Sequence, residues 1–324
     1  MSRVQVKTVT PDESGIRLDR WFKANFPELP FGRLSKLLRT GQVRVNGKRA
    51  KGNDRVGTGD EIRIPPLEAA KAKPKGPRPL NPEERQEIRE MVLFQDSDVI
   101  ALNKPPGLAV QGGSGTTKHV DRLLPALQGR KDERPPRLVH RLDKDTSGVL
   151  VVARNAPAAR ALTGAFKDKT CRKVYWALVK GVPKPLEGKI SAPVSKSLGG
   201  QKEIMVVSKT GKPAVTLFKV MDFAGDEVSW LALSPVTGRT HQIRVHLAHI
   251  GHPILGDGKY GGEDSRFGDL SQKLHLHSAA LSFPHPGGGT REITAALPPH
   301  MMESFKYLGF FPNEVKDPFE GFPW

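Results

Sequence analysis

Between residues 66 and 86 the chain reads PLEAAKAKPKGPRPLNPEERQ, and no apolar periodicity runs through it. Pro, Lys and Ala dominate, so the stretch has no apolar face to bury and reads as a linker. A chain of 324 residues with such a break must build its core as separate units on either side. The divisions read from sequence are a unit over 1–65, a linker over 66–88, a larger unit over 89–304 and a tail over 305–324. That tail holds 7 of the 21 aromatic residues, whose rings offer stacking surfaces for RNA, but packing over the larger unit is the more ordinary explanation.

In RLDRWFKANF, Leu18, Trp21 and Phe22 fall at i, i+3, i+4 and predict a helix with one apolar face. FGRLSKLLRTG repeats the spacing at Leu34, Leu37 and Leu38, and Gly41 supplies a helix stop. Arg33, Lys36 and Arg39 stand between those apolar positions and project toward solvent or a phosphate backbone. QVRVNGKRA then alternates Val43 and Val45 with charge, and Asn46-Gly47 is a hairpin turn flanked by Arg44 and Lys48. Residues 1–65 hold 14 Lys/Arg against 7 Asp/Glu. Pattern alone allows either a compact RNA-binding unit or a structural domain with a solvated basic face.

The whole chain carries 51 Lys+Arg and 34 Asp+Glu, a net charge of +17, which draws polyanions and puts nucleic acid first among partners. A membrane is a weak candidate, because no apolar run approaches the roughly 20 residues that span a bilayer. The opening MSRVQVKTVTPDESG lacks a signal-peptide core. A single cysteine, Cys171, excludes an internal disulfide framework and a Cys-based zinc site. The expected location is the cytoplasm.

From Val92 onward strands mix with helices. VIALN, GVLVVAR and KVYWALVKG are rich in strand formers, and NAPAARALTGAFKDK between the last two is helical in composition. AVTLFKVMDF and EVSWLALSPV read as two strands around the Ala224-Gly225-Asp226 turn. Sequential strands with short turns predict an α+β domain: a mainly antiparallel mixed β-sheet with flanking helices, beside a small helix–helix–hairpin domain.

Chemistry concentrates in HRLDKDTSG, where Asp143 and Asp145 lie beside His140 and Arg141 just before a strand. The residues alone leave two readings open: local ion pairs and turn caps, or an acid held at the mouth of a cleft. The two acids are too close in sequence to flank a glycosidic bond from opposite sides. His241, His246, His249 and His252 crowd together, but their neighbours are Arg, Gln and apolar residues, so core or hydrogen-bonding roles outweigh a metal site. GGSGTTK lacks the spacing of a phosphate loop, and no nucleotide cofactor is implied.

RLDRWF, SKLLRTGQVRVNGK and VGTGDEIRIP, in that order, resemble the S4 RNA-binding domain over about residues 15–65. The resemblance implies RNA binding by the second helix and the hairpin, hence by Arg33, Lys36, Arg39, Arg44 and Lys48. HRLDKDTSG, KVYWALVKG and GRTHQIRVH together resemble the bacterial large-subunit ribosomal RNA pseudouridine synthases over roughly residues 92–300. VQGGSGTT, Val110 to Thr117, is most similar to the C type, whose members act on uridines of 23S rRNA. By that resemblance Asp143 is the catalytic aspartate, and Arg141 takes the place of the flipped base. Tyr175 is the active-site tyrosine, and Arg244 is the basic residue that pairs with the aspartate. Asp145 falls at a variable position of the motif.

The implied reaction cuts N1–C1′ and rejoins the uracil through C5, so it needs no redox cofactor and no metal. The implied partner is 23S rRNA or a precursor large ribosomal subunit, met by a monomer. Two other classes compete: a non-catalytic RNA-binding or ribosome-assembly factor, and a hydrolytic nucleosidase that releases base.

Overall fold

Leu18, Trp21 and Phe22 are all buried on one side of a helix, α1 (Leu18–Asn25), and Leu34 and Leu37 on one side of the next, α2 (Phe31–Arg39). The computed structural model describes residues 4–67, 79–113, 116–129, 134–199, 202–312 and 317–320. Its fold divides the chain into two units, Met1–Pro79 and Leu80–Trp324.

In the first unit the two helices pack on an antiparallel sheet of β1 (Gln5–Thr8), β2 (Arg44–Val45), β3 (Lys48–Arg49) and β4 (Glu61–Ile64), in the order β1-β4-β2-β3. Val43, Ile62 and Ile64 close the core under the helices. With the apolar positions turned inward, Lys36, Arg39, Arg44 and Lys48 are exposed and Arg33 is half-buried.

The second unit begins with a helix where the sequence reads as linker. α3 (Pro82–Glu90) starts at Asn81, whose side chain accepts from Glu84 N at 2.7 Å while Glu84 accepts from Asn81 N at 3.0 Å. This capping box and the proline in the first turn start the helix, and Ile88 anchors it in the core. The linker therefore ends before Asn81 rather than at 88. Residues 68–78 of the expected linker lie outside the described residues.

The strands that follow are β5 (Val92–Gln95), β6 (Val99–Lys104), β7 (Arg137–Leu138), β8 (Ser147–Ala153), β9 (Arg172–Lys180) and β10 (Glu187–Ser191). After them come β11 (Val194–Gly199), β12 (Lys202–Val207), β13 (Val215–Ala224), β14 (Val228–Pro235), β15 (Leu276–Pro284) and β16 (Thr290–Thr294). One sheet runs β10-β13-β14-β9-β15-β8-β6-β5, with β16 beside β15 and β7 beside β8; β11 and β12 form a separate hairpin. Every pairing in the large sheet is antiparallel except β15 with β8.

Strand β8 is buried along its whole length because both faces are covered. Leu150 and Val152 join Ile88 of α3 and Val120 and Leu123 of α4 (Val120–Leu123). Val149 and Val151 point the other way, to Ala158 and Leu162 of α5 (Ala156–Lys167). Strand β9 alternates likewise. Val174, Trp176 and Leu178 meet Met301 and Phe305 of α7 (Pro299–Leu308), whereas Ala177 and Val179 meet Ile243 and Leu247 of α6 (Gln242–His249).

The boundary expected at 305 thus falls inside α7, since Met301 and Phe305 share one buried face of a single helix. Beyond it Phe310 and Phe319 pack against the same cluster, and Asp317 pairs with Arg172 of β9. Phe322 and Trp324 lie outside the described residues, as do two residues of GGSGTTK.

Candidate active site

The loop His140–Thr146 enters β8 held at both ends. His140 Nε2 accepts from Val151 N at 2.9 Å, and its ring stacks on Phe166 of α5 with centroids 4.3 Å apart. Burial, helped by the charge of Lys173, pushes this imidazole down to about 3, so it is neutral and carries its proton on Nδ1. At the far end Lys104 Nζ donates to the carbonyl oxygen of Lys144 at 3.0 Å, and to those of Pro105 and Leu108, both at 2.9 Å. Between these anchors Leu142 is buried in the core with Leu150. Alternation then turns its neighbours outward: Arg141 is exposed, and the Asp143 side chain keeps 18% of its surface.

Facing the loop are β9 and α6. Tyr175 leaves β9 on the α6 side. Burial pushes its phenol up to about 12, opposed by a hydrogen bond with Ser278 and assisted by the charge of Asp143, so at neutral pH it is a proton donor. His241 caps α6 in the left-handed region, φ 53° and ψ 20°, a conformation that costs energy for a residue with a side chain. That turn sets the ring between two partners. Nδ1 is 2.6 Å from the Tyr260 hydroxyl and Nε2 is 3.9 Å from Asp143 Oδ1. The second distance is too long for a hydrogen bond, and burial lowers the imidazole pKa against the pull of Asp143.

One expectation needs correcting. Arg244 does not pair directly with Asp143. Its Nε and Nη2 donate to the two oxygens of Asp257, each at 2.7 Å, and both residues are buried. Asp257 also accepts from the backbone N–H groups of Lys259 and Tyr260, at 3.2 Å each, so it is a fully committed bidentate partner. The Arg244 guanidinium lies 5.0 Å from the Tyr260 ring centre, and the charge of Asp143 helps hold its proton through space.

Asp143, Arg141, Tyr175 and Arg244, from three distant stretches, line one cavity of about 480 Å³. His140, Phe166 and Leu276 add flat or apolar wall, and Lys167, Lys169, Lys173 and Arg239 make the lining basic. Asp143 is the single carboxylate among the lining residues; Asp145 lines a neighbouring cavity instead. One acid in an otherwise basic, partly aromatic cleft can act as a nucleophile or a base, but it does not make the two-carboxylate arrangement of a glycoside hydrolase.

The crowded histidines serve different partners. His246 bonds Thr216 Oγ1 and the Ala192 carbonyl, each at 2.9 Å, and His252 Nδ1 meets the Lys180 carbonyl at 2.9 Å. Among the described residues no group of three or more His, Cys, Asp or Glu is gathered as for a metal ion. Arg33, Lys36, Arg39, Arg44 and Lys48 belong to the first unit and are no part of this cavity.

Sequence reasoning missed the places in the site of His241, which it read as a core or hydrogen-bonding histidine, and of Asp257, Tyr260 and Lys104. The first three sit in TGRTHQIRVHLAHIGHPILGDGKYG, where an acid 13 residues after Arg244 was the available signal. Lys104, in NKPPG, gives no such sign.

Comparison with known proteins identifies relatives of the chain. A profile of the RNA pseudouridylate synthase family matches residues 98–249. The ribosomal large subunit pseudouridine synthase C of Escherichia coli K12 is 40% identical over 295 residues, spanning 88% of this chain and 90% of that protein. Its counterpart in Vibrio vulnificus is 37% identical over 290 residues, spanning 88% and 90%. Among solved structures, human RNA pseudouridylate synthase domain containing 4 superposes with a TM-score of 0.59 at 29% identity, covering 69% of this chain and 95% of that one. With the single carboxylate set on its loop and relatives matched over most of their length, the chain belongs to the RNA pseudouridylate synthases, within the C-type large-subunit group.

Proposed function

We propose that this enzyme isomerises specific uridines of 23S ribosomal RNA to pseudouridine in the cytoplasm, as a monomer acting on the rRNA or a precursor large subunit. The observation that carries the assignment of roles is the lone carboxylate, Asp143, in a cavity shared with Arg141, Tyr175 and Arg244. A uridine must leave its stack to enter, at a cost of a few kcal/mol. Arg141, exposed at the loop, offsets part of that by filling the vacated place with a planar, hydrogen-bonding group.

Inside, Asp143 either attacks C1′ or removes a sugar proton, and the N1–C1′ bond breaks with its electron pair on the uracil. The basic lining suits that transient negative charge. The uracil turns in place and bonds C1′ through C5, which expels the Asp143 carboxylate if it attacked C1′, or is accompanied by return of the sugar proton if it acted as a base. The C5 proton then leaves and N1 takes one up, so the product is an isomer of the substrate. Tyr175, uncharged at neutral pH, offers a flat face to the base and a proton donor beside it. Arg244, held by Asp257, positions the wall opposite Asp143 without neutralising it directly. The expected phosphate contacts of the first unit come from Arg33, Lys36, Arg39, Arg44 and Lys48, as in an S4 domain.

The test is Asp143→Asn on 23S rRNA, with pseudouridine located by carbodiimide labelling and reverse-transcription stops. The expected outcome is RNA binding within a fewfold of wild type and a fall in modification of at least about 10³-fold. A wild-type protein that creates no stops on naked rRNA or precursor subunits, yet binds them, is instead a binding or assembly factor.

A further inference from the structure

A second cavity, of about 460 Å³, adjoins the first: His241 and Arg244 line both, and the Asp143–Asp145 turn stands between them. Its walls carry Lys144, Lys259 and Lys273 against one acid, Asp145, with Gln272 as a neutral hydrogen-bonding group. The walls are built, not accidental. Asp257 accepts from Lys259 N and Tyr260 N and so fixes the turn that presents Lys259. Gly256 packs so closely on the next segment that a Cβ there would lie 2.1 Å from the Lys273 carbonyl oxygen. Lys104 anchors the third wall through the carbonyl of Lys144.

A flipped nucleotide cannot enter alone, because its sugar carries a phosphodiester on each side. At least one must leave the first cavity past its wall, and the wall shared with the second cavity leads to three lysines. We propose that this second cavity is a subsite for the nucleotide step flanking the target, with its phosphodiester held by Lys144, Lys259 and Lys273. The inference rests on the first cavity being the uridine site. Phosphate contacts of this kind position a chain without reading its sequence, so the subsite sets the depth and register of the target uridine.

The experiment uses the full-length protein and synthetic RNAs spanning a uridine that wild type modifies in 23S rRNA. Each RNA carries one uncharged methylphosphonate, either 5′ or 3′ of that uridine. For Lys259→Gln/Lys273→Gln on unmodified RNA, KM rises about tenfold and kcat stays within about twofold. The slope of log KM against log salt falls by about 0.7 for the one phosphate that is no longer neutralised. One of the two methylphosphonates raises the wild-type KM in the same way but adds little in the double variant, which also identifies the side that enters. Equal KM for variant and wild type, or methylphosphonate penalties that are the same in both, overturns the subsite while the enzyme assignment stands. Absence of pseudouridine with wild type on any 23S fragment overturns both.

Discussion

Lys104 has no exposed surface, and its three donated bonds hold the carbonyls of Pro105, Leu108 and Lys144 beside the loop that carries Asp143. Burial pulls its ammonium down to about 7, with Asp145 and Asp143 opposing. An unfolded lysine keeps its proton to about 10.4. Between those values the unfolded state binds more protons, so this residue makes the unfolding free energy rise with pH, by at most ~1.4 kcal/mol per unit. Lys104→Met removes that rise and leaves buried carbonyls without donors, at ~1–3 kcal/mol. Urea unfolding of both proteins from pH 7 to 10 should show the deficit of the variant growing with pH; a constant difference would refute the shifted titration. Since Lys144 follows Asp143 directly, kcat of the variant should also fall, by about 10- to 100-fold. None of this is legible locally, because a lysine beside Pro-Pro-Gly looks like any surface turn.

Gly148, the last residue of HRLDKDTSG, shows what an element adds. It sits at φ 104° opposite Ser278, in the parallel β8–β15 pair, and a Cβ would lie 2.2 Å from the Ser278 carbonyl oxygen. The strand that requires a glycine there thus arrives 130 residues later in the chain. Gly148→Ala should cost at least ~2 kcal/mol and lower activity with it, whereas Gly225→Ala, also at positive φ but in open space, should cost ~1 kcal/mol. Denaturant midpoints of the two variants decide this, and similar losses would mean that β15 yields easily.

The same distinction separates what could be read from what could not. β6, β8, β9, β13 and β14 stand out by their strand formers, and α1, α2 and α5 by period or composition. α3 escapes because only Ile88 of PEERQEIRE is buried, so its apolar signal is one residue. α6 escapes for the opposite reason: six of its eight residues are buried, including Gln242, Arg244 and His246, and a helix enclosed on most sides has no polar face to mark it. In the site, Asp143, Arg141, Tyr175 and Arg244 come from the family resemblance, and they line one cavity. Asp257 as the partner of Arg244 depends on how a turn folds back on α6, which no local pattern encodes.

At the scale of the whole molecule, the net charge of +17 is distributed over two units with separate cores. The cavity sits in the second, and the exposed Lys36, Arg39 and Lys48 in the first. If the first unit binds phosphates, its effect should grow with RNA length, since a longer RNA offers phosphates beyond those the cavity holds. Lys36→Gln/Arg39→Gln/Lys48→Gln should therefore raise KM on a long 23S fragment and reduce the salt slope by about 0.7–0.9 for each phosphate released. On a minimal RNA that fills only the cavity, KM should be unchanged, and kcat should match wild type on both. A long fragment and a minimal RNA, titrated between low and physiological salt, make the comparison. An equal loss on both RNAs would mean the triple change disturbs the catalytic unit, and no loss on either would mean the basic helix face is a solvated surface with no RNA on it.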